Sequence, residues 1–223
     1  MRRTHTTASF GVIGLGRFGS ALVKTLAEAG QEVIAIDKDE QKVRAVRKYT
    51  DFAFVVESLT AETLEETGVQ NCQTVTICIG ETMDISILTT MLVIKMGVPR
   101  VISKANSQAH GEVLKLMGAT VVYPEADMAV RMGRRLISGN LVDYIALDDH
   151  IEVRRFQVGG VIVGKSVQSI GARRKYGINI IAIERGHQTM VDFSPQYEFA
   201  PGDIVTVIGK VEKIETFEQE IQS

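Results

Sequence analysis

The run Gly14-Leu15-Gly16-Arg17-Phe18-Gly19 constrains the fold of this chain more than any other feature. It matches GxGxxG and directly follows the apolar tetrapeptide 10–13. Beyond it, Gly19, Leu22, Val23, Leu26 and Ala27 recur at the i, i+3, i+4, i+7, i+8 spacing of an amphipathic helix. A glycine loop between a buried strand and a helix opens a βαβ unit. Gly14 then permits the tight turn, Gly16 lets backbone N–H groups approach a phosphate, and Gly19 allows close helix–sheet packing. The helix N-terminus offers N–H donors and a positive dipole end to an anion. Gly30 supplies the C-terminal stop.

The alternation continues along the chain. Residues 33–36 read as a second strand and 37–48 as a charged surface helix. Four further strands are predicted over 52–56, 74–79, 100–103 and 120–123, separated by helical segments near 60–67, 83–97, 107–117 and 125–138. Parallel strands need crossovers, so strands that each lead into a helix make an α/β fold, a doubly wound parallel, Rossmann-like sheet. After Gly139 the rhythm changes. Close-spaced strands at 151–158 and 161–163 surround Gly159-Gly160, Ser166 caps a helix running to Lys175, and 178–183 and 204–208 are strands. Pro195, Pro201 and Gly202 mark turns. This is a small α+β C-terminal subdomain. The expected division is a nucleotide-binding domain over 8–140, including the crossover helix 125–138, and a C-terminal domain over 141–223.

Composition excludes several function classes. With a formal net charge of −2 over 223 residues, no bulk basic field draws the chain to nucleic acid. No stretch approaches the ~18 apolar residues of a membrane span. The basic Met-Arg-Arg-Thr-His-Thr-Thr start is not followed by the apolar segment of a secretory signal. Cys72 and Cys78, six apart, fit neither CxxC nor a zinc pair and read as structural thiols in a strand segment. Helix 83–96 carries two apolar stripes, Ile85/Leu88/Leu92 and Ile87/Met91/Ile94, where a surface helix needs one. Burial under the second module and a subunit interface both account for the surplus.

Asp37 ends the second strand, where such folds place an acid on ribose hydroxyls, and its charge disfavours a 2′-phosphate. Arg17, at the phosphate end, can hold a terminal phosphate bidentately, which favours ATP or ADP over NAD. Catalytic signatures are missing. None of the five tyrosines has a lysine four residues on, and the histidines (His5, His110, His150, His187) show no metal spacing. There is no GxSxG elbow and no P-loop. A nucleotide site without chemistry beside it points to a sensor. An NAD-dependent oxidoreductase with a small second domain stays open as the alternative.

Val12-Ile13-Gly14-Leu15-Gly16-Arg17-Phe18-Gly19, Ile36-Asp37, Ser103-Lys104-Ala105 and Pro124-Glu125-Ala126-Asp127-Met128, in that order, resemble the KTN/RCK regulators of potassium uptake, of the Ktr type of cytosolic subunit. Residues 172–180, Ala-Arg-Arg-Lys-Tyr-Gly-Ile-Asn-Ile, are similar to their C-terminal subdomain. The resemblance implies dimers assembling into a homo-oligomeric ring, an octamer, docked under a membrane-embedded potassium-translocating subunit at the inner face of the cell membrane. ATP or ADP in the first domain would switch that ring. By position, Arg17 would contact distal phosphates, Asp37 the ribose and Lys104 the terminal phosphate. Glu125 would reach a neighbouring subunit's nucleotide through a bridging Mg or Ca ion. Glu57 stands where the family more usually has Asp or Asn, and Lys38, Ser58, Ile79 and Gly80 complete the set. Arg173, Asn179 and Pro195 match positions that bind cyclic di-AMP in the family.

Overall fold

The computed structural model describes residues 10–80, 82–137 and 141–222. The basic N-terminal segment with His5, residues 8–9 of the expected first domain and the 140/141 boundary after Gly139 lie outside them. The chain divides into two compact units, the first ending at Ala126 and the second beginning at Asp127.

In the first unit, β1 (Phe10–Ile13), β2 (Val33–Asp37), β3 (Ala53–Val55), β4 (Thr74–Ile77), β5 (Arg100–Lys104) and β6 (Thr120–Val122) form one sheet in the order β3-β2-β1-β4-β5-β6. Every pairing is parallel. The crossovers carry α1 (Arg17–Glu28), α2 (Glu40–Val46), α3 (Ala61–Glu66), α4 (Met83–Lys95) and α5 (Gln108–Leu116). Successive strand residues go to opposite faces. Val12, Val33 and Ala35 therefore pack with Val23 and Val43, whereas Ile13, Ile34 and Ile36 pack with Leu64 and Val93. The helix expected over 37–48 starts only at Glu40, because Asp37 still belongs to β2 and the Asp39 side chain caps α2 through the N–H groups of Gln41 and Lys42.

Helix α4 inverts the usual amphipathic arrangement. Its inward residues are Ser86, Thr89, Thr90 and Val93, while Met83, Ile85 and Leu88 are exposed. The Thr90 hydroxyl donates to the Ser86 carbonyl and lies 3.0 Å from the Ser103 hydroxyl of β5. Ile87, Leu92 and Ile94 pack partly against the core. One of the two expected apolar stripes thus remains largely uncovered within the unit.

α6 (Pro124–Ile137) leads into the second unit, whose strands are β7 (Leu141–Ala146), β8 (Ile151–Gln157), β9 (Asn179–Arg185), β10 (Gln188–Met190) and β11 (Ile204–Lys210). They form an antiparallel sheet in the order β10-β9-β11-β8-β7. Short helices α7 (Val167–Ile170) and α8 (Ala172–Tyr176) and the terminal α9 (Val211–Gln222) accompany it. Phe217 of α9 meets Phe156 and Tyr176 at ring separations of 5.8 and 4.9 Å. The buried Arg154 is neutralised by Glu152 at 2.7 Å and Glu218 at 3.3 Å, and Arg134 of α6 adds a 2.8 Å contact to Glu152. Arg131 and Arg135 of the same helix reach Asp143 at 2.9 and 3.1 Å.

Two expectations are corrected here. Residues 161–163 form a turn, not a strand: the Ile162 N–H bonds the Gly159 carbonyl, and Gly164 adopts a φ of +77°. The helix predicted from Ser166 to Lys175 is broken at Gly171, whose φ of +61° lies in the left-handed region. Ser166 does cap its first segment. β7, β10 and α9 stand outside the sequence expectations.

Candidate functional site

The strand order reverses between β1 and β4, whose following segments separate and leave a crevice at the carboxyl edge of the sheet. The glycine loop forms one wall. Gly14 has a φ of +96°, and a Cβ added there would lie 3.0 Å from the Cys78 carbonyl carbon. A Cβ on Gly19 would lie 1.9 Å from the Gly14 carbonyl oxygen. The loop is thus pressed against both the segment after β4 and the first turn of α1. Gly16 differs, because nothing stands within 4 Å of its Cβ direction. As N-cap of α1 it carries no side-chain cap, so the helix start stays open to an external anion.

Asp37 acts first on the loop itself. Its Oδ2 accepts the Leu15 N–H at 2.6 Å and its Oδ1 the Asp39 N–H at 2.9 Å. The carboxylate therefore ties the glycine loop to the end of β2 while keeping a lone pair on each oxygen for a further donor.

Two adjoining cavities share Gly16, Cys78 and Gly80. One, of about 350 Å³, is lined by Gly14, Gly16, Asp37, Lys38, Glu57, Ser58, Ile79 and Gly80, with Ile36, Val56, Ile85 and Leu88 as apolar walls. The other, of about 460 Å³, is lined by Gly16, Arg17, Phe18, Gly80, Lys104 and Glu125. Folding brings these expected residues together. Leu15 and Gly19 shape the site from behind, the Leu15 side chain being buried with Val12 and Val23. Lys42, Thr82 and Thr89 on the first cavity, and Asn106 and Tyr123 on the second, are lining residues beyond those expected. Of these only Asn106 carried a signal, as a polar residue two positions after Lys104, in the segment that follows β5.

The second cavity holds the charges. Lys104 Nζ donates to Glu125 Oε1 at 2.6 Å. This hydrogen bond holds the Glu125 carboxyl below its ordinary pKa, with Arg17 adding to the effect. The Asn106 side-chain amide donates to the Gly80 carbonyl and fixes the loop after β4. Burial pushes the Cys78 thiol up to about 12, against the opposing pull of Lys104, and Cys72 up to about 11. Both thiols are free and buried, flanking β4 rather than lying within it. Among the described residues no group of three His, Cys, Asp or Glu side chains could hold a metal ion. A cation held by Glu125 would need oxygens from a phosphate or another chain.

The three candidates in the second unit are exposed: Arg173 on α8, Asn179 at the start of β9, and Pro195 in a loop whose carbonyl accepts the Gln168 N–H. None lines either cavity.

Comparison with known proteins follows this architecture. The TrkA-N domain model matches residues 10–124 and the TrkA-C domain model residues 152–222. The chain belongs to the TrkA-N/TrkA-C family. Within it, the chain is 37% identical over 213 residues to Ktr system potassium uptake protein C of Bacillus subtilis, covering 95% of this chain and 96% of that protein. It is 32% identical over 212 residues to Ktr system potassium uptake protein A of the same organism, with the same coverage. The family fold extends to the TrkA-N domain of the Escherichia coli inner membrane protein ybaL, with a TM-score of 0.53 at 17% identity, covering 60% of this chain and 99% of that one. No helix among the described residues is long and apolar enough to cross a membrane.

Proposed function

We propose that this chain is a regulatory subunit of a Ktr-type potassium uptake system, which gates a membrane-embedded translocating subunit according to the adenine nucleotide it holds. The observation that carries this reading is the pairing of two cavities around one glycine loop, in a chain similar over 95% of its length to Ktr uptake proteins. The first cavity fits an adenosine: apolar walls for the base, and Asp37 and Glu57 for the ribose. The second fits phosphates through the open start of α1, Arg17 and Lys104. Cations at its far end suit ATP or ADP better than NAD, whose second half is a nicotinamide nucleoside that ends in no phosphate and is itself cationic when oxidised.

Several further roles belong to this proposal. Glu125 reaches the nucleotide of a neighbouring subunit, with Mg or Ca as bridge. Met83 of α4, exposed beside the cavity walls Ile85 and Leu88, is covered in dimers that assemble into an octameric ring. Arg173, Asn179 and Pro195 bind cyclic di-AMP. The subunit sits in the cytoplasm against the inner membrane face through its partner.

A nucleotide moves such a ring only through different affinities for its two states. Taking a gate from 1:99 to 99:1 requires ~5.5 kcal/mol of differential binding. Shared among eight subunits, that is roughly 0.7 kcal/mol each, within the reach of one charge-assisted hydrogen bond. The test is to identify the nucleotide retained through purification by mass after denaturation. Potassium flux is then measured in vesicles carrying the translocating subunit, with ATP, ADP or NADH added. Nucleotide-dependent flux is the expected result. Sustained substrate-dependent oxidation of NADH would overturn the reading in favour of an oxidoreductase.

A further inference from the structure

The cavity assigned to distal phosphates already holds an anion. Glu125 Oε1 lies 2.6 Å from Lys104 Nζ within the same chain. The two partners differ in burial: the Lys104 side chain is 13% exposed and that of Glu125 69%. Lys104 is fixed by its surroundings, and its ammonium stands over the loop after β4, where a Cβ on Gly80 would come within 3.3 Å of it. Glu125, in the first turn of α6, has water to receive it when it lets go. The cavity is lined by Arg17, Lys104 and Glu125 as its charged side chains, so it carries one net positive charge with Glu125 in place and two once Glu125 has left.

We propose that Glu125 is an internal competitor that makes this site selective for a terminal phosphoryl group: its carboxylate occupies Lys104 until a distal phosphate displaces it. This inference rests on the nucleotide reading above and deepens it. A carboxylate carries one negative charge and a terminal phosphate close to two. Only the latter gains enough from Lys104 and Arg17 together to exchange with the resident anion. A nucleotide that ends short of Lys104 leaves the pair intact and gains nothing there. Displacement also frees the carboxylate at the start of α6, so arrival of the distal phosphate and release of Glu125 become one event.

The experiment is calorimetric titration of the full chain with ATP, ADP and AMP in EDTA, which removes any bridging cation. Wild type is compared with E125Q, E125A, K104M and K104M/E125Q. The exposed Glu125 side chain makes both of its variants fold-neutral, and Met preserves the buried stem of Lys104. E125Q and E125A are expected to tighten ATP about three- to tenfold, the range for losing a partly exposed ion pair that binding would otherwise break. AMP affinity stays unchanged. K104M weakens ATP, and K104M/E125Q then matches K104M. Unchanged or weaker ATP binding in E125Q and E125A overturns the inference. So does an equal gain for AMP, or a gain that persists in the double variant, because either would mean general charge repulsion and not competition for Lys104. If wild type binds none of the three nucleotides, the nucleotide reading itself fails. If wild type binds and the Glu125 variants do not shift, only the competitor role fails.

Discussion

Replacing Gly19 by alanine tests whether the site is built as described, because the same substitution has opposite consequences at two helical glycines. At Gly19 the new Cβ falls 1.9 Å from the Gly14 carbonyl oxygen, 3.0 Å from the Gly14 carbonyl carbon and 3.3 Å from Cys78 Cβ. A carbon–oxygen contact needs about 3.3 Å, so either α1 or the glycine loop must shift by roughly 1.4 Å. The obstacle is backbone held at both ends, by Asp37 through the Leu15 N–H and by the packing of Gly14 on Cys78. Overpacking of this kind costs about 1–3 kcal/mol, beyond the ~1 kcal/mol that alanine returns through helix propensity. Gly133 in α6 provides the control, since nothing lies within 4 Å of its Cβ direction. There alanine should stabilise by about 0.4–1 kcal/mol. Urea unfolding followed by circular dichroism measures both. ATP titration should additionally show a loss of more than tenfold for Gly19→Ala, because a loop moved by more than an ångström no longer presents its N–H groups to phosphate. Equal stability of Gly19→Ala and Gly133→Ala would refute the packing argument. Unaltered ATP affinity in a destabilised Gly19→Ala would refute the role given to the loop.

Further outcomes follow from single residues. His110 is buried with its Nδ1 accepting the Asn106 N–H, and burial lowers its pKa below 6.5. The unfolded chain therefore takes up the proton first, so stability is full above about pH 6.5 and falls as pH drops from there. His110→Gln should flatten that slope in unfolding measured between pH 5 and 8. Asp203 is buried and accepts two 2.8 Å hydrogen bonds from Arg185 and one of 3.0 Å from the Tyr197 hydroxyl. Burial alone would raise its pKa, but these donors and the Ala200 N–H hold it below the usual value. Its contribution is present above about pH 4 and lost as pH falls further, and Asp203→Asn should cost about 2–3 kcal/mol at neutral pH by urea unfolding. Cys78, buried with a thiol pushed up to about 12, should resist a maleimide in the folded chain at pH 8 and react after unfolding in urea. Rapid labelling of the native protein would contradict the packing of the glycine loop on it.

What the sequence determined is the part governed by local chemistry. The loop 14–19 must turn where only glycine fits, and the period of the residues after it can bury one face only as a helix. Those two facts placed β1, α1 and the carboxyl-edge crevice with Arg17 at its phosphate end, and the resemblance to the KTN/RCK regulators added Lys104 and Glu125. Local signals failed where partners far along the chain decide. β7 becomes a strand because β8 pairs with it, and β10 because β9 does. In α9, Ile214, Phe217 and Ile221 do carry helical spacing, but only the sheet beneath shows which face they bury. Residues 161–163, apolar and β-branched, turn instead because left-handed Gly164 ends the segment. Tertiary structure alone also settled how the site residues engage one another. It buried the hydroxyls of α4 and left its apolar stripe open, tied Asp37 to Leu15, and set Glu125 on Lys104. The physical reason is common to all three. A motif specifies which groups are carried to a place, whereas only the packed fold decides which neighbours stand within bonding distance of them.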